Sequence, residues 1–301
     1  MPLIETYNLS KRYGDILALN NLCFKLEEGE SLALLGRNGA GKTTTMKLIL
    51  ELIRPTSGTI KVIGRDHRDH NLRREIGYLP EEPALPMYAK AKNALLYYGM
   101  LLGLDRKTRN RRVDELLHRM GLYEDRNRML NEYSRGMQQR VAFAQAIIGE
   151  PKILILDEPT AGLDPIWRRE IRSIIKEMTN SGCAALISSH ILAEIELECD
   201  RAIIIDKGNT IKEGKIDELI SVGRQYSVVV SEFKRGLITG IEKIGKVIEI
   251  DGNKLRIELK PGYSPQDIIE IVNKKKVDIV SISIFKVALE DIFSELVKEK
   301  K

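Results

Sequence analysis

An α/β fold with a largely parallel sheet, a helical block inserted into it and a smaller α+β unit at the C-terminal end is predicted by three observations. Short apolar runs alternate with helical periodicity before residue 84 and again from 151 to about 220. Residues 84–150, between those stretches, read as mostly helix. After about 220 the element order changes to β-α-β-β-α-β. The chain has 301 residues, which fits one large and one small domain, placed here at 1–220 and 221–301.

Taken in order, 3–9 and 18–26 alternate as strands do, and 31–35 (SLALL) is a short apolar strand that ends on Gly36. A helix is predicted from about 42 to 52, followed by a loop at 54–58 (RPTSG). The inserted block contains helices at 91–104, 108–120 and 135–149. Beyond Pro151 come a strand at 153–156, a helix at 166–179, a strand at 184–188, a helix at 191–199 and a strand at 202–206. In the small unit a strand at 226–231 and a helix at 237–244 precede two strands, 246–250 and 254–259, joined across Asp251, Gly252 and Asn253, a hairpin signal. A helix at 265–275, a strand at 278–285 and a helix at 289–298 complete it. This order matches the split βαβ of a ferredoxin-like unit.

Composition excludes several classes of function. Apolar residues make up 43% and charged residues 30% of the chain, an ordinary globular balance. The 48 basic and 43 acidic residues leave a net charge of +5, too weak and too dispersed a bias to expect nucleic acid as a partner. The densest basic run, RKTRNRR at 106–112, reads as a solvated helix start. Cys23, Cys183 and Cys199 form no CxxC pair and are odd in number, so neither a disulfide framework nor a zinc site is expected, and a reducing cytosol is the default. No apolar run approaches the ~18–20 residues a membrane helix needs, and the first residues lack the basic-then-apolar pattern of a signal peptide. The chain is therefore not expected to cross a membrane.

Two motifs carry chemistry. GRNGAGKT at 36–43 fits GxxxxGK[ST], follows an apolar strand and opens a helix. Glycines 36, 39 and 41 let the backbone wrap a phosphate with its N–H groups, and the helix that begins near Lys42 adds its positive end. Lys42 can reach the β- and γ-phosphates, and Thr43 can place its hydroxyl on Mg²⁺. ILILDEP at 153–159 is an apolar strand that ends in two acids, the edge at which open α/β sheets bind ligands. Asp157 suits a Mg²⁺ ligand, through water. Glu158 suits a base that orients or deprotonates the attacking water.

With these residues in place, the sequence resembles the ATP-binding cassette (ABC) family of P-loop NTPases over roughly 3–218, in order and with the expected spacing. Five smaller motifs support the resemblance. Tyr13, in KRYG, stands where the family stacks an aromatic on adenine. YSRGMQQR at 133–140 stands where the family has LSGGQ followed by QR; Tyr133, Arg135 and Met137 depart from it, while Ser134 and Gly136 remain. AGLD at 161–164 matches the loop that crosses the dimer interface, and SSH at 188–190 the switch histidine. IGYLPE at 76–81 matches the loop joining the sheet to the helical insert, with Glu81 where the family usually has Gln.

The resemblance implies ATP bound by Tyr13, Gly36, Asn38, Gly39, Ala40, Gly41, Lys42, Thr43 and Thr44, and from a facing subunit by Ser134, Gly136 and Asp164. It implies Mg²⁺ on Thr43, Glu81 and Asp157, and catalysis by Glu158, His190 and Lys42. Two ATPase subunits, identical or different, would face each other head to tail and drive a separately encoded transmembrane permease from the inner face of the cell membrane. The departures at 81, 133, 135 and 137 and the C-terminal extension resemble an exporter-like branch, with the small unit serving dimerisation or regulation. The alternative is a soluble cassette ATPase acting on the ribosome or DNA; such proteins usually carry two cassettes or a long coiled-coil insert, and this chain has one cassette and a short insert.

Overall fold

The chain opens with a long antiparallel pair, β1 (Pro2–Tyr13) and β2 (Ile16–Glu27). Ile4, Leu9, Leu19, Leu22 and Leu26 on these strands are wholly buried while neighbours face out, the pattern of a sheet with one face on a core. β3 (Ser31–Leu35) runs into the glycine loop and α1 (Lys42–Ile49). β4 (Ser57–Val62) and β5 (Arg65–Asp66) then return to the first sheet, whose order is β2-β1-β4-β5.

The second sheet is assembled from segments far apart in sequence. β6 (Ile76–Leu79) leads to the inserted helices α2 (Ala91–Leu101), α3 (Arg106–Arg119) and α4 (Arg135–Ile147), which pack on one another. β7 (Ile153–Asp157), α5 (Pro165–Asn180), β8 (Ala184–Ser188), α6 (Leu192–Glu198), β9 (Arg201–Asp206) and β10 (Asn209–Lys215) follow. The strand order is β10-β9-β3-β8-β7-β6, parallel except for β10. Every residue of β3, β7 and β8 is buried, as expected of central parallel strands covered on both faces. One apolar core joins the two sheets and α1, through Leu22 and Phe24, Leu34 and Ile155, and Met46 and Ile49.

This computed structural model describes residues 1–298, which divide into two compact units, Met1–Ile216 and a second that begins at Asp217. In the second, α7 (Ile216–Ile220) is followed by β11 (Ser221–Val230), α8 (Arg235–Ile244), β12 (Gly245–Asp251), β13 (Lys254–Leu259), α9 (Pro265–Lys274), β14 (Ile279–Lys286) and α10 (Leu289–Lys298). The strands form an antiparallel sheet in the order β12-β13-β11-β14, the arrangement a split βαβ produces. Its core draws on Val228, Leu237, Ile241, Leu255, Ile257, Ile268 and Val272. Ser264 and Asp267 cap α9 reciprocally.

Several sequence-based boundaries move. The helix expected to reach 52 ends at Ile49, because Glu51 turns into the left-handed region at φ 56°. The loop expected at 54–58 gives its last two residues to β4. Gly58 has φ +87°, and a Cβ there would stand 2.4 Å from Asn8 O, so only glycine lets the two strands close. The helix expected at 91–104 stops at Leu101, ahead of left-handed Gly103. Residues 76–79, matched to a loop, form an edge strand on β7. β5 and β10 have too little apolar character to be read from sequence. Among the described residues no helix is long and apolar enough to cross a membrane.

Candidate nucleotide site

The parallel registers place the ends of four strands along one edge of the second sheet. Leu34 lies beside Ser188, Ser188 beside Asp157, and Leu156 beside Leu79. The segments that leave those ends are the glycine loop, Ser189–His190, Glu158–Pro159 and Pro80–Glu81. Sheet topology thus gathers residues separated by more than a hundred positions at the edge where such sheets bind ligands.

The glycine loop is shaped by contacts that exclude side chains. A Cβ at Gly36 would lie 2.5 Å from Ile205 O, and one at Gly41, where φ is +113°, would lie 2.7 Å from Ala18 O. Asn38 and Gly39 are exposed at the tip, Ala40 is buried and Thr44 is half-buried. Lys42 is buried, and its Nζ donates to Gly36 O at 2.7 Å and Arg37 O at 3.3 Å. Its cation is thereby curled back over the loop.

Thr43 Oγ1 donates to Asp157 Oδ2 at 2.8 Å, and Ser188 Oγ donates to Asp157 Oδ1. Asp157 is 2% exposed, so its carboxylate is held by two hydroxyls on the strands or helix to either side. This is an oxygen donor set of the kind Mg²⁺ takes when phosphates complete its shell. Glu158 has φ 53°, in the left-handed region that an L-residue occupies at a cost of about 1–3 kcal/mol. Its N–H donates to Ser188 O at 3.1 Å, and Gln139 Nε2, from α4, donates to Glu158 O and Pro159 O at 3.4 and 3.3 Å. His190 Nδ1 lies 2.7 Å from Glu158 Oε2, and the His190 N–H reaches the same oxygen at 3.3 Å. Burial raises the Glu158 carboxyl above the ordinary carboxylate range, and His190 and Lys42 pull it back.

Ser134 caps α4, accepting from Met137 N at 3.3 Å. Asp164 caps α5, accepting from the N–H groups of Ile166 and Trp167 at 2.9 and 3.0 Å. A Cβ at Gly136 would stand 3.3 Å from Gly162 O, so the signature-like helix start and the 161–164 loop adjoin within one chain.

Sequence-predicted residues therefore fall into three groups. Gly36, Gly41, Lys42, Thr43, Asp157, Glu158 and His190 are brought together at one edge. Ser134, Gly136 and Asp164 sit at paired helix starts. Tyr13 and Glu81 are not tied to either group. Tyr13 ends β1 half-exposed, with Lys11 Nζ 4.9 Å from its ring centre. Glu81 is exposed, and among the described residues it makes no hydrogen bond or ion pair to Thr43 or Asp157. Ser188 and Gln139 lie within the SSH and YSRGMQQR motifs, which assign them no role. Their bonds to Asp157 and to the Glu158 backbone follow from register and helix packing, for which residue type carries no signal.

A glycine loop opening a helix, a hydroxyl–carboxylate pair beside it and a buried carboxylate against a histidine define a P-loop nucleotide-binding ATPase. A family model described as "ABC transporter" matches residues 19–161. The chain is 32% identical over 297 residues to the uncharacterized ABC transporter ATP-binding protein YxlF of Bacillus subtilis, covering 98% of this chain and 99% of that one. It is 38% identical over 228 residues to the bacitracin transport ATP-binding protein BcrA of Enterococcus faecalis, covering 75% and 73%. A dimeric post-hydrolysis ATP-binding cassette bound to ADP and phosphate superposes with TM-score 0.66 at 26% identity, over 71% of this chain and 98% of that one. This chain belongs to the ABC transporter ATP-binding proteins: it is an ATP-binding subunit and an ATP hydrolase.

Proposed function

We propose that this subunit powers export through a separate transmembrane permease, as one of two ATPase subunits at the cytoplasmic face of the membrane. The observation that supports the chemical part most directly is the 2.7 Å contact of Glu158 with His190, next to the Thr43–Asp157 pair. The glycine loop and Lys42 bind the phosphates of ATP, with Gly36, Asn38, Gly39, Ala40, Gly41 and Thr44 around them and Tyr13 against the adenine. Thr43 and Asp157, with Glu81 as a further oxygen, would hold Mg²⁺, which would supply charge neutralisation for the phosphates. Glu158, its proton affinity raised by burial, takes the proton of the attacking water. His190 donates Nδ1–H to Glu158 and so fixes the direction of that carboxylate.

The start of α4, with Ser134 and Gly136, and Asp164 in the neighbouring loop contact the ATP of the facing subunit. ATP then favours the closed pair over the open one, the difference that can drive a conformational change. The bacitracin-transport name of one relative supports export. The second unit serves dimerisation or regulation; removing 221–301 and finding both dimerisation and turnover unchanged sets that role aside.

Glu158→Gln tests the chemistry. Turnover is expected to fall by at least about 100-fold while ATP still binds, measured by phosphate release and equilibrium nucleotide binding. Turnover at the unsubstituted rate would remove Glu158 as the base.

A further inference from the structure

Glu194 was singled out by no sequence motif, yet it is 7% exposed and each carboxylate oxygen faces a partner on a different element. Oε2 accepts from Thr160 Oγ1 at 2.7 Å, and Oε1 lies 3.5 Å from Arg168 Nη1 on α5. Buried carboxylates persist when paired and hydrogen-bonded. Here both requirements are met by groups at the catalytic edge.

Thr160, 2% exposed, lies two residues beyond Glu158 in the turn closed by Ala161 N donating to Glu158 O at 3.1 Å. Glu194 lies in the first turn of α6, four residues beyond His190 and joined to that segment by its own N–H donating to Ile191 O at 3.0 Å. Arg168 in turn donates from Nε to Leu163 O at 2.9 Å, holding the far side of the same turn. A closed circuit results. It runs from Glu158 through the turn to Thr160, across the hydrogen bond to Glu194, back along the α6 start to His190, and through His190 Nδ1 to Glu158 again. Glu158 holds a left-handed backbone, and such a conformation survives when its surroundings over-determine it.

We propose that Glu194, through Thr160, is a positioning residue that keeps Glu158 and His190 in register for hydrolysis. The proposal rests on the reading of Glu158 as base and His190 as its partner. Neither Glu194 nor Thr160 is bonded to the glycine loop among the described residues, so cutting the tie is expected to slow hydrolysis and spare ATP binding. Thr160→Val removes the hydroxyl at nearly constant volume, and Thr160→Ser keeps it.

The test is a kinetic cycle on the full chain, with Thr160→Val, Thr160→Ser, His190→Ala and the Thr160→Val/His190→Ala pair. ATP-binding stoichiometry serves as the count of folded sites. Thr160→Val is expected to lower kcat about ten-fold with KM for ATP within about two-fold. Thr160→Ser is expected to restore kcat, and Thr160→Val to have little further effect once His190 is Ala. If Thr160→Val fails to bind one ATP per chain, Glu194→Met, which removes the acceptor of the Thr160 hydroxyl at similar side-chain length, takes its place in the cycle and the same outcomes decide. Full kcat in Thr160→Val beside a low kcat in His190→Ala overturns the positioning role and leaves the base assignment standing. An undiminished Thr160→Val effect in the His190→Ala background also overturns it, because the tie then acts elsewhere. Full kcat in His190→Ala overturns both readings.

Discussion

Glu198, one turn beyond Glu194 on α6, is 8% exposed, and its Oε1 has no hydrogen-bond donor. Arg172 Nε is 3.5 Å away but does not donate to it, so desolvation outweighs the ion pair. Burial, with the Glu194 charge adding and Arg172 opposing, pushes the carboxyl up from 4.5 to about 8. A value raised on folding means that the native chain binds the proton more tightly than the unfolded chain. The contribution to stability is fully present below pH 4.5 and is lost as pH rises through about 8. Glu198→Gln, neutral at every pH, is therefore expected to raise the melting temperature relative to the unsubstituted chain more at pH 9 than at pH 6. An equal difference at the two pH values in thermal melts would show that Glu198 is ionised in both. At this same scale the sequence disclosed the residues that gather at the sheet edge, since loop glycines, a lysine and paired acids have few other uses at that spacing. It did not disclose Glu194, Thr160, Gln139 or Ser188, whose types occur everywhere and whose roles depend on which element packs against them.

Elements transmit strain through close approach. Gly77 in β6 admits α4: a Cβ there would lie 2.1 Å from Ala146 O and 2.9 Å from Leu154 Cδ2. Backbone cannot yield as a flexible side chain can, so Gly77→Ala has to push the helical insert away from the sheet edge. A loss of about 1–3 kcal/mol is expected, the usual cost of overpacking, read as a lower denaturation midpoint. An unchanged midpoint would mean that α4 can shift without cost. Helix starts follow the caps: Asp105, Ser134 and Asp164 each accept from backbone N–H of their helix, and the Asp105 cap starts α3 at Arg106, two residues ahead of the expected 108. Helix ends were less readable, since they depend on where the chain has to turn back. Leu50 and Glu51 look as helical as their neighbours.

For the whole molecule, the proposed ATP cycle involves a second subunit and a membrane partner. Ser134→Arg is expected to spare ATP binding by the single chain and abolish ATP-dependent dimerisation, measured by sedimentation with and without ATP; unchanged dimerisation would remove α4 from the facing site. Gentle extraction from native membranes is expected to bring a multi-span protein with the tagged chain in stoichiometric amount. Ribosomal or DNA-bound proteins in its place would reverse the transport reading. What the sequence determined by itself is what local chemistry dictates: the alternation that makes an α/β unit, the all-apolar strands that must be covered on both faces, the phosphate loop, the paired acids and the β-α-β-β-α-β order. Only the tertiary structure decided that β1, β2, β4 and β5 form a sheet apart from the parallel one, that β6 is an edge strand, and that Glu158, His190, Thr160 and Glu194 close on one another. Those outcomes depend on strand order and packing between segments distant in the chain, where contact energy rather than local preference selects the partner.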